Sequence, residues 1–374
     1  MLKLLLTSVI SLSGIYLWSS GLPQISHLLF ILLTVIFFSL NGSLYFKKRF
    51  LIIIVFTIYA YIINFYFFVI GNDTQFVSTN LQLIFNVYIL IFFYSILCNY
   101  VNSPKWVVTG IIIAFSIQWI VLLLGLGNYS LYPRYSGTFN DPNQMAYWLL
   151  CLYSMYLLLG SRLQYSRISK VFLGGSFFVF VILTISRSAF IAIVFFAVCH
   201  IAIRIVRSKR RAIQFIFFII STISIGTFIL QSNFITNDVI LDRVLNVDFK
   251  KQVEERGYTR FVDHPDFIIL GSGQGNHKRF NIEKEQAFLN VEMHTTWGGL
   301  LFYYGIIGFS LVLLFLFINF FNATPESKII MLSTFVYGLS TYSFRTPVFW
   351  LLLAVFMYLT STSTSTTFKK RDNK

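Results

Sequence analysis

Between Arg260 and Gly308 the sequence reads RFVDHPDFIILGSGQGNHKRF, then a charged run, then EMHTTWGGLLFYYGIIG. Arginines, glycines, carboxylates and three histidines, His264, His277 and His294, gather there ahead of an apolar helix whose first turn is expected near Thr295. An imidazole with its ordinary pKa near 6.5 can take a proton from a hydroxyl at neutral pH, and such general base catalysis contributes about 10²–10⁴-fold. His294, two residues after Glu292, is the candidate base; its plainer role is an interfacial histidine bonded to the loop. Gly271-Ser272-Gly273-Gln274-Gly275 gives backbone that can approach a ligand closely, or merely turn, and no Gly-Lys-Ser/Thr follows it as in a P-loop. His264, His277, Asp263 and Glu292 fit no zinc spacing, so neither a metal nor another cofactor is expected.

The rest of the chain must hold this loop in a bilayer. Of 374 residues, 56% are hydrophobic and 11% charged, with a mean hydropathy of +0.73, whereas soluble domains carry about 25% charged residues. Apolar runs of helical length recur, and in hydrocarbon each must satisfy its own backbone as a helix. Their continuity excludes a β-barrel, whose strands alternate. The expectation is an all-α polytopic membrane protein of about twelve spans, at 2–20, 25–46, 50–70, 81–101, 106–126, 143–160, 170–185, 189–206, 212–230, 297–320, 328–344 and 347–361. This divides the chain into 1–230 with spans 1–9, a loop at 231–296, and 297–374 with spans 10–12 and a tail. Cys98, Cys151 and Cys199 fall inside apolar runs and read as packing residues. The first span could double as a signal peptide, with the same orientation.

The net charge of +15 raises the question of sidedness before that of partners. With the N-terminus inside, 18 of 29 basic residues fall in inner connectors and ends, among them Lys47 to Arg49, Arg207 to Arg211 and the tail Lys369 to Lys374. Eight lie in loop 231–296, which also holds ten acidic residues. Nucleic acid is therefore not expected as a partner; membrane lipids are. Leu241 to Arg256 could lie at the interface as an amphipathic helix, the run Phe267 to Leu270 needs cover, and the Ser/Thr run before the tail reads as a flexible end.

Three arginines stand alone in outer connectors. Arg134 lies in YPRYSGTFNDPNQ, where Gly137 marks a turn and Asp141 or Asn143 can cap the next helix. Arg187 sits in Ile185-Ser186-Arg187-Ser188 between two apolar segments; at a bilayer centre a charge costs on the order of 3 kcal/mol, so it must face an interior, a wet cavity or the interface. Arg345 precedes Pro347, which suits the first turn of the last helix. Each could instead be an interfacial anchor. Guanidinium groups bracketing an outer cavity suit a diphosphate, whose oxygens they bind in pairs and whose charge they neutralise without a metal.

The runs R-x-x-G-T-F-x-D-P-N at Arg134 to Asn143, S-R-S-A at Ser186 to Ala189, the long loop with Arg260 and G-S-G-x-G, and E-x-H followed by Gly305 and Gly308 resemble the O-antigen polymerase and O-antigen ligase superfamily. The likeness runs from about residue 130 to 350. It implies a metal-independent, inverting, GT-C-like glycosyltransferase of the bacterial inner membrane. Both termini would be cytoplasmic, and the loop between spans 9 and 10 would be periplasmic and carry the active site. The donor would be an oligosaccharide on undecaprenyl diphosphate, and a chain-length regulator is a further partner that this resemblance allows. By motif position Arg187 and Arg260 would hold the diphosphate, His294 would activate the acceptor hydroxyl, and Arg134 and Arg345 would line the same cavity. The ligases commonly carry Asn after the histidine where this chain has Thr295, which favours a polymerase of O-antigen or another surface polysaccharide. A ligase acting on lipid A core, a flippase or transporter, and a structural subunit are the alternatives.

Overall fold

The computed structural model describes residues 1–18, 23–129, 132–160, 163, 165–207, 213, 256–280 and 292–371, with backbone alone at 204–207 and 362–371. The expected ninth span, the interfacial segment up to residue 255, and residues 281–291 lie outside these. Among the described residues the regular structure is helical, with no strand and one isolated bridge between Asn128 and Gly137. In chain order the helices are α1 Leu2–Ser11, α2 Ile25–Ser39, α3 Phe50–Gly71, α4 Gln75–Asn99, α5 Ser103–Leu123, α6 Pro142–Gly160, α7 Arg167–Thr184 and α8 Arg187–Arg207. They continue with the short α9 Arg260–Asp263 and α10 Phe267–Leu270, then α11 Thr296–Phe321, α12 Pro325–Tyr337 and α13 Pro347–Arg371. Among the described residues five helices, α3, α4, α5, α7 and α11, are long and apolar enough to cross a bilayer.

The chain forms two compact units. Unit 1 comprises Met1–Ile36, Pro104–Asp248 and Pro325–Tyr337; unit 2 comprises Phe37–Ser103, Phe249–Thr324 and Gly338–Lys374. Each is thus assembled from three separated stretches of sequence.

In unit 1, α6 is apolar all round its N-terminal turn excepted, and it packs against α7, α8 and α12. Asp141 Oδ1 accepts from the N–H groups of Asn143 (2.7 Å) and Gln144 (3.2 Å), so this carboxylate caps α6 and Pro142 takes the first helical position. α1 ends at Ser11 rather than near residue 20 because the following chain turns to tertiary bonds. Trp148 Nε1 donates to Ser13 Oγ (2.9 Å), Tyr16 N–H donates to the Thr138 carbonyl (3.3 Å), and the Thr138 hydroxyl donates to the Gly14 carbonyl.

In unit 2, α3 buries Phe50, Ile53, Phe56, Ala60 and Asn64, a stripe at helical spacing, against α4 and α11. Its other face exposes Leu51, Val55, Ile58, Ile62, Phe65 and Val69, an apolar surface too continuous for water and suited to lipid. α13 packs along α4 and buries Val348 to Met357. It runs on through the Ser/Thr run to Arg371, where a flexible end was expected, because no glycine or proline interrupts it after Pro347. α12, by contrast, stops at Tyr337, short of the expected residue 344, where the Gly338 carbonyl accepts the Thr296 N–H at 2.7 Å. α2 likewise stops at Ser39, before residue 46, as Asn41 takes a left-handed φ of 58° and Gly42 N–H closes on the Phe37 carbonyl (2.9 Å).

Candidate functional site

The polar centre of unit 2 is set by an interruption in α11. At Gly305 the backbone adopts φ 62° and ψ −175°, a conformation open essentially to glycine alone. The carbonyls of Phe302 and Tyr303, just ahead of this break, accept the N–H groups of Ser272 (3.0 Å) and Gly273 (2.8 Å). The glycine loop therefore lies against the opened helix backbone to backbone. A Cβ at Gly271 would stand 2.3 Å from the Tyr303 carbonyl oxygen, so the close approach needs glycine on both sides. Beneath the loop, the rings of Phe261, Phe267 and Phe280 pack on Phe302 at centroid distances of 5.7, 6.0 and 5.1 Å. This is the cover that the run from Phe267 requires, although Ile269 and Leu270 face outward.

Gln274 is the hub of the network above. Its N–H donates to Asn64 Oδ1 (2.7 Å), its Oε1 accepts from the hydroxyls of Tyr304 (3.0 Å) and Tyr342 (2.9 Å), and its Nε2 donates to Glu292 Oε1 (2.5 Å). Glu292 Oε2 in turn pairs with the Arg345 guanidinium. The turn that carries Arg345 is anchored from α4, where Asn86 Nδ2 donates to the Phe344 carbonyl (3.0 Å) and Gln82 Nε2 to that of Arg345 (3.2 Å).

Arg260 is 2% exposed, with its guanidinium 5.3 Å from the centroid of the Phe280 ring. Burial lowers its pKa, while Tyr303 and Glu292 oppose that shift. Arg279 stands over the rings of Phe67 (4.5 Å), Phe280 (4.6 Å), Phe76 (5.1 Å) and Phe267 (5.9 Å), and donates to the carbonyls of Ser272 and Gly273. Burial pushes its pKa down to about 10, with Arg260 adding to the fall and Tyr303 and Asp73 opposing it. His277 lies with its ring 5.6 Å from that of Tyr303. Burial lowers its pKa to about 4; Glu292 opposes this, and Arg260, Arg279 and Arg345 reinforce it. Three guanidiniums thus meet one carboxylate at the centre, with Asp73 beside Arg279, and the balance favours an anion.

His294 lies at the edge of this centre. It is exposed, two residues past Glu292 and directly before Thr295. Thr295 caps α11 by accepting from Gly298 N–H (3.4 Å) and also accepts the Tyr258 hydroxyl (2.9 Å). The expected helix start is therefore found, and capping demands a small oxygen-bearing side chain at 295, a demand that Asn would meet as well. Among the described residues no three His, Cys, Asp or Glu side chains converge as metal ligands.

Arg134 and Arg187 belong to unit 1, at the joint between α7 and α8. α7 ends as Ile185 turns to φ 47°, and α8 begins at Arg187, which is half-buried. Arg134 is 3% exposed; its Nε donates to the Thr184 carbonyl (3.0 Å) and its NH2 group to Asn143 Oδ1 (2.8 Å). A cation at the carbonyl end of α7 is favoured by the helix dipole. Ser186 Oγ donates to the same Asn143 oxygen (3.1 Å), and Tyr337 donates to the Asn143 carbonyl (2.8 Å). Arg134 therefore ties the joint that presents Arg187 to the start of α6.

The structure brings Arg260, Arg345 and Glu292 together in one unit, with His294 next to them in sequence, and joins Arg134 to the segment bearing Arg187 in the other. Sequence reasoning passed over Arg279, Gln274 and the anchoring face of α4. A signal for the last was present: Gln82 and Asn86 stand one helical turn apart inside an apolar span, and Gln75 two turns earlier at its head, where polar residues are costly unless paired. Neither a scan against models of protein families nor a search of curated proteins gives a match.

Proposed function

We propose that the chain is an integral membrane glycosyltransferase that transfers a glycan from a lipid diphosphate to the next lipid-linked repeat unit, a surface polysaccharide polymerase. The observation that carries this reading is the excess of guanidinium groups at the Gly305 break, where Arg260 and Arg345 face Glu292, Arg279 stands beside Arg260, and all three act on His277. As a glycosyl–phosphate bond breaks, charge develops on the diphosphate, and preplaced guanidiniums stabilise it without reorganising. His294, exposed beside this centre, takes the proton of the acceptor hydroxyl. Within unit 1, Arg187 offers a guanidinium to a phosphate group, and Arg134 keeps its segment in place.

In this proposal the chain has twelve spans in a GT-C-like arrangement. It lies in a bacterial inner membrane with both termini cytoplasmic and loop 231–296 periplasmic. Within unit 2, Lys47 to Arg49 lie at one end of α3, and the loop 271–276 meets the far end of that helix and the start of α4. The 22 residues of α3 are about 33 Å long, close to the thickness of the hydrocarbon core, which supports placing the two groups on opposite faces.

The test is polymerisation of a lipid-linked repeat unit by the purified chain in proteoliposomes, read as a glycan ladder. Arg260→Ala, Arg187→Ala and His294→Ala should each leave single-repeat products, with a loss of at least about 10²-fold for the histidine. Lys should replace Arg187 poorly, because it lacks the planar fork. A full ladder from Arg260→Ala and His294→Ala would overturn the assignment, and chains joined only to lipid A core would make the enzyme a ligase.

A further inference from the structure

Resting on the diphosphate reading above, we propose that His277 is itself a ligand of the diphosphate in unit 2 and takes up a proton when that anion binds. The imidazole opens the turn His277–Phe280, which also carries Arg279. Its Nδ1 is buried and has no hydrogen-bond partner among the described residues. Buried polar atoms left in this state are few, because each forfeits the hydrogen bonds it would make to water. The groups that face it come from every neighbouring element: Arg260 of α9, Arg279 of its own turn, Glu292 ahead of α11, Tyr303 of α11 and Arg345 of the turn before α13.

Among these the one carboxylate that could accept from a protonated Nδ1 is engaged elsewhere and makes no hydrogen bond to it. Glu292 spends one oxygen on Gln274 and the other on Arg345. The remaining charged neighbours are guanidiniums, which have no acceptor. Without ligand the imidazole therefore stays neutral, since a proton would add a fourth cation to three guanidiniums. An anionic phosphate oxygen reverses both conditions. It accepts the Nδ1 proton, and its charge offsets the three guanidiniums, so the protonated form becomes the stable one. Binding of the anion and binding of the proton then favour each other by the same factor.

The same chemistry could arrive on a lipid or free in solution, and the experiment separates the two. Full-length protein in lipid nanodiscs is titrated calorimetrically with P1,P2-dimethyl diphosphate, a diester that stays a dianion across this pH range, and in a second arm with the farnesyl methyl diester. Buffers of different ionisation enthalpy report the protons taken up. Wild type should bind more tightly as the pH falls from 8 to 5.5, with net proton uptake at pH 6. Tighter binding of the farnesyl diester supports a lipid-borne ligand, and equal binding supports a soluble one; either outcome agrees with the role of His277. His277→Asn, which keeps an N–H near the Nδ1 position, should bind within about 3-fold of wild type yet lose the uptake, and His277→Phe should weaken binding about 10-fold, the loss of one hydrogen bond to a charged group. Nitrogen-15 signals of the five histidines, with His277 assigned from the Asn variant, should show protonation on ligand addition in unmutated protein. Unchanged affinity and uptake in both variants overturn the proposal and leave the polymerase reading standing. Failure of wild type to bind either diester overturns both.

Discussion

Replacing Gly305 with alanine tests whether the charged loop is held by the break in α11. The residue sits at φ 62° and ψ −175°, which costs a side-chain-bearing residue about 1–3 kcal/mol. Its Cβ would also fall 2.2 Å from the Ile269 carbonyl oxygen and 2.5 Å from the carbonyl carbon. Both are backbone atoms with little room to yield. The least costly escape is for the loop to leave, giving up the bonds from Ser272 and Gly273 to the Phe302 and Tyr303 carbonyls, each contributing about 0.5–1.5 kcal/mol. Those bonds are lost on undocking in either protein, so the shift is set by the strain, which at about 3 kcal/mol lowers the population of the docked loop roughly 10²-fold, and the backbone overlap adds to it. Hydrogen exchange of the amides of Ser272 and Gly273 in nanodiscs reads this directly, and their protection should fall by that factor. Gly175→Ala is the control: nothing lies within 4 Å of its Cβ, and alanine favours the helix, so the loop amides should not change. Gly271→Ala crowds the same contact from the other side, so the double variant should lose little more than either single one. Loop protection in Gly305→Ala equal to wild type would refute the account of how the site is held.

Two further expectations concern stability. The His277 pKa is lowered from 6.5 to about 4 by burial, so below pH 6.5 the unfolded chain binds a proton that the folded one does not. The stabilisation is complete above pH 6.5 and is lost as the pH falls toward 4, by about 3 kcal/mol in all. Loop exchange at pH 7.5 and 4.5 should show this in wild type and less in His277→Phe; identical profiles would contradict it. At the opposite end of unit 2, Arg49 donates to Asn319 (2.7 Å), Thr360 (3.1 Å), the Met357 carbonyl (3.0 Å) and Ser361. Arg49→Ala should cost about 3 kcal/mol, seen as a lower melting temperature in detergent, and an unchanged melt would show the clamp to be idle.

Much of the site's chemistry was visible in the chain before any coordinates, because it is local. Asp141 ahead of Pro142, Thr295 ahead of α11 and Pro347 at the head of α13 mark helix starts whose unpaired N–H groups need a cap or a proline within a few residues. Loop 256–280, where the ionisable groups concentrate, also carries most of the unit 2 cluster. α2 ends on a local cap at Asn41-Gly42 that the sequence did carry, whereas the lengths of α1 and α12 were not legible, since tertiary bonds mark those ends. Arg279 was passed over for the same reason: its neighbour Phe67 lies 212 residues away, and no spacing rule spans such a distance.

The sequence by itself determined the material and the inventory: apolar helices that cannot live in water, and a stretch of arginines, histidines and glycines too polar to cross a bilayer. Tertiary structure decided the pairing. It set Glu292 between Gln274 and Arg345, ringed Arg279 with aromatic faces, and left the Nδ1 of His277 buried beside three guanidiniums while His294 stayed exposed. Composition fixes how much charge a loop carries, but the field at any one atom depends on distance and burial, and those exist only once the chain has folded.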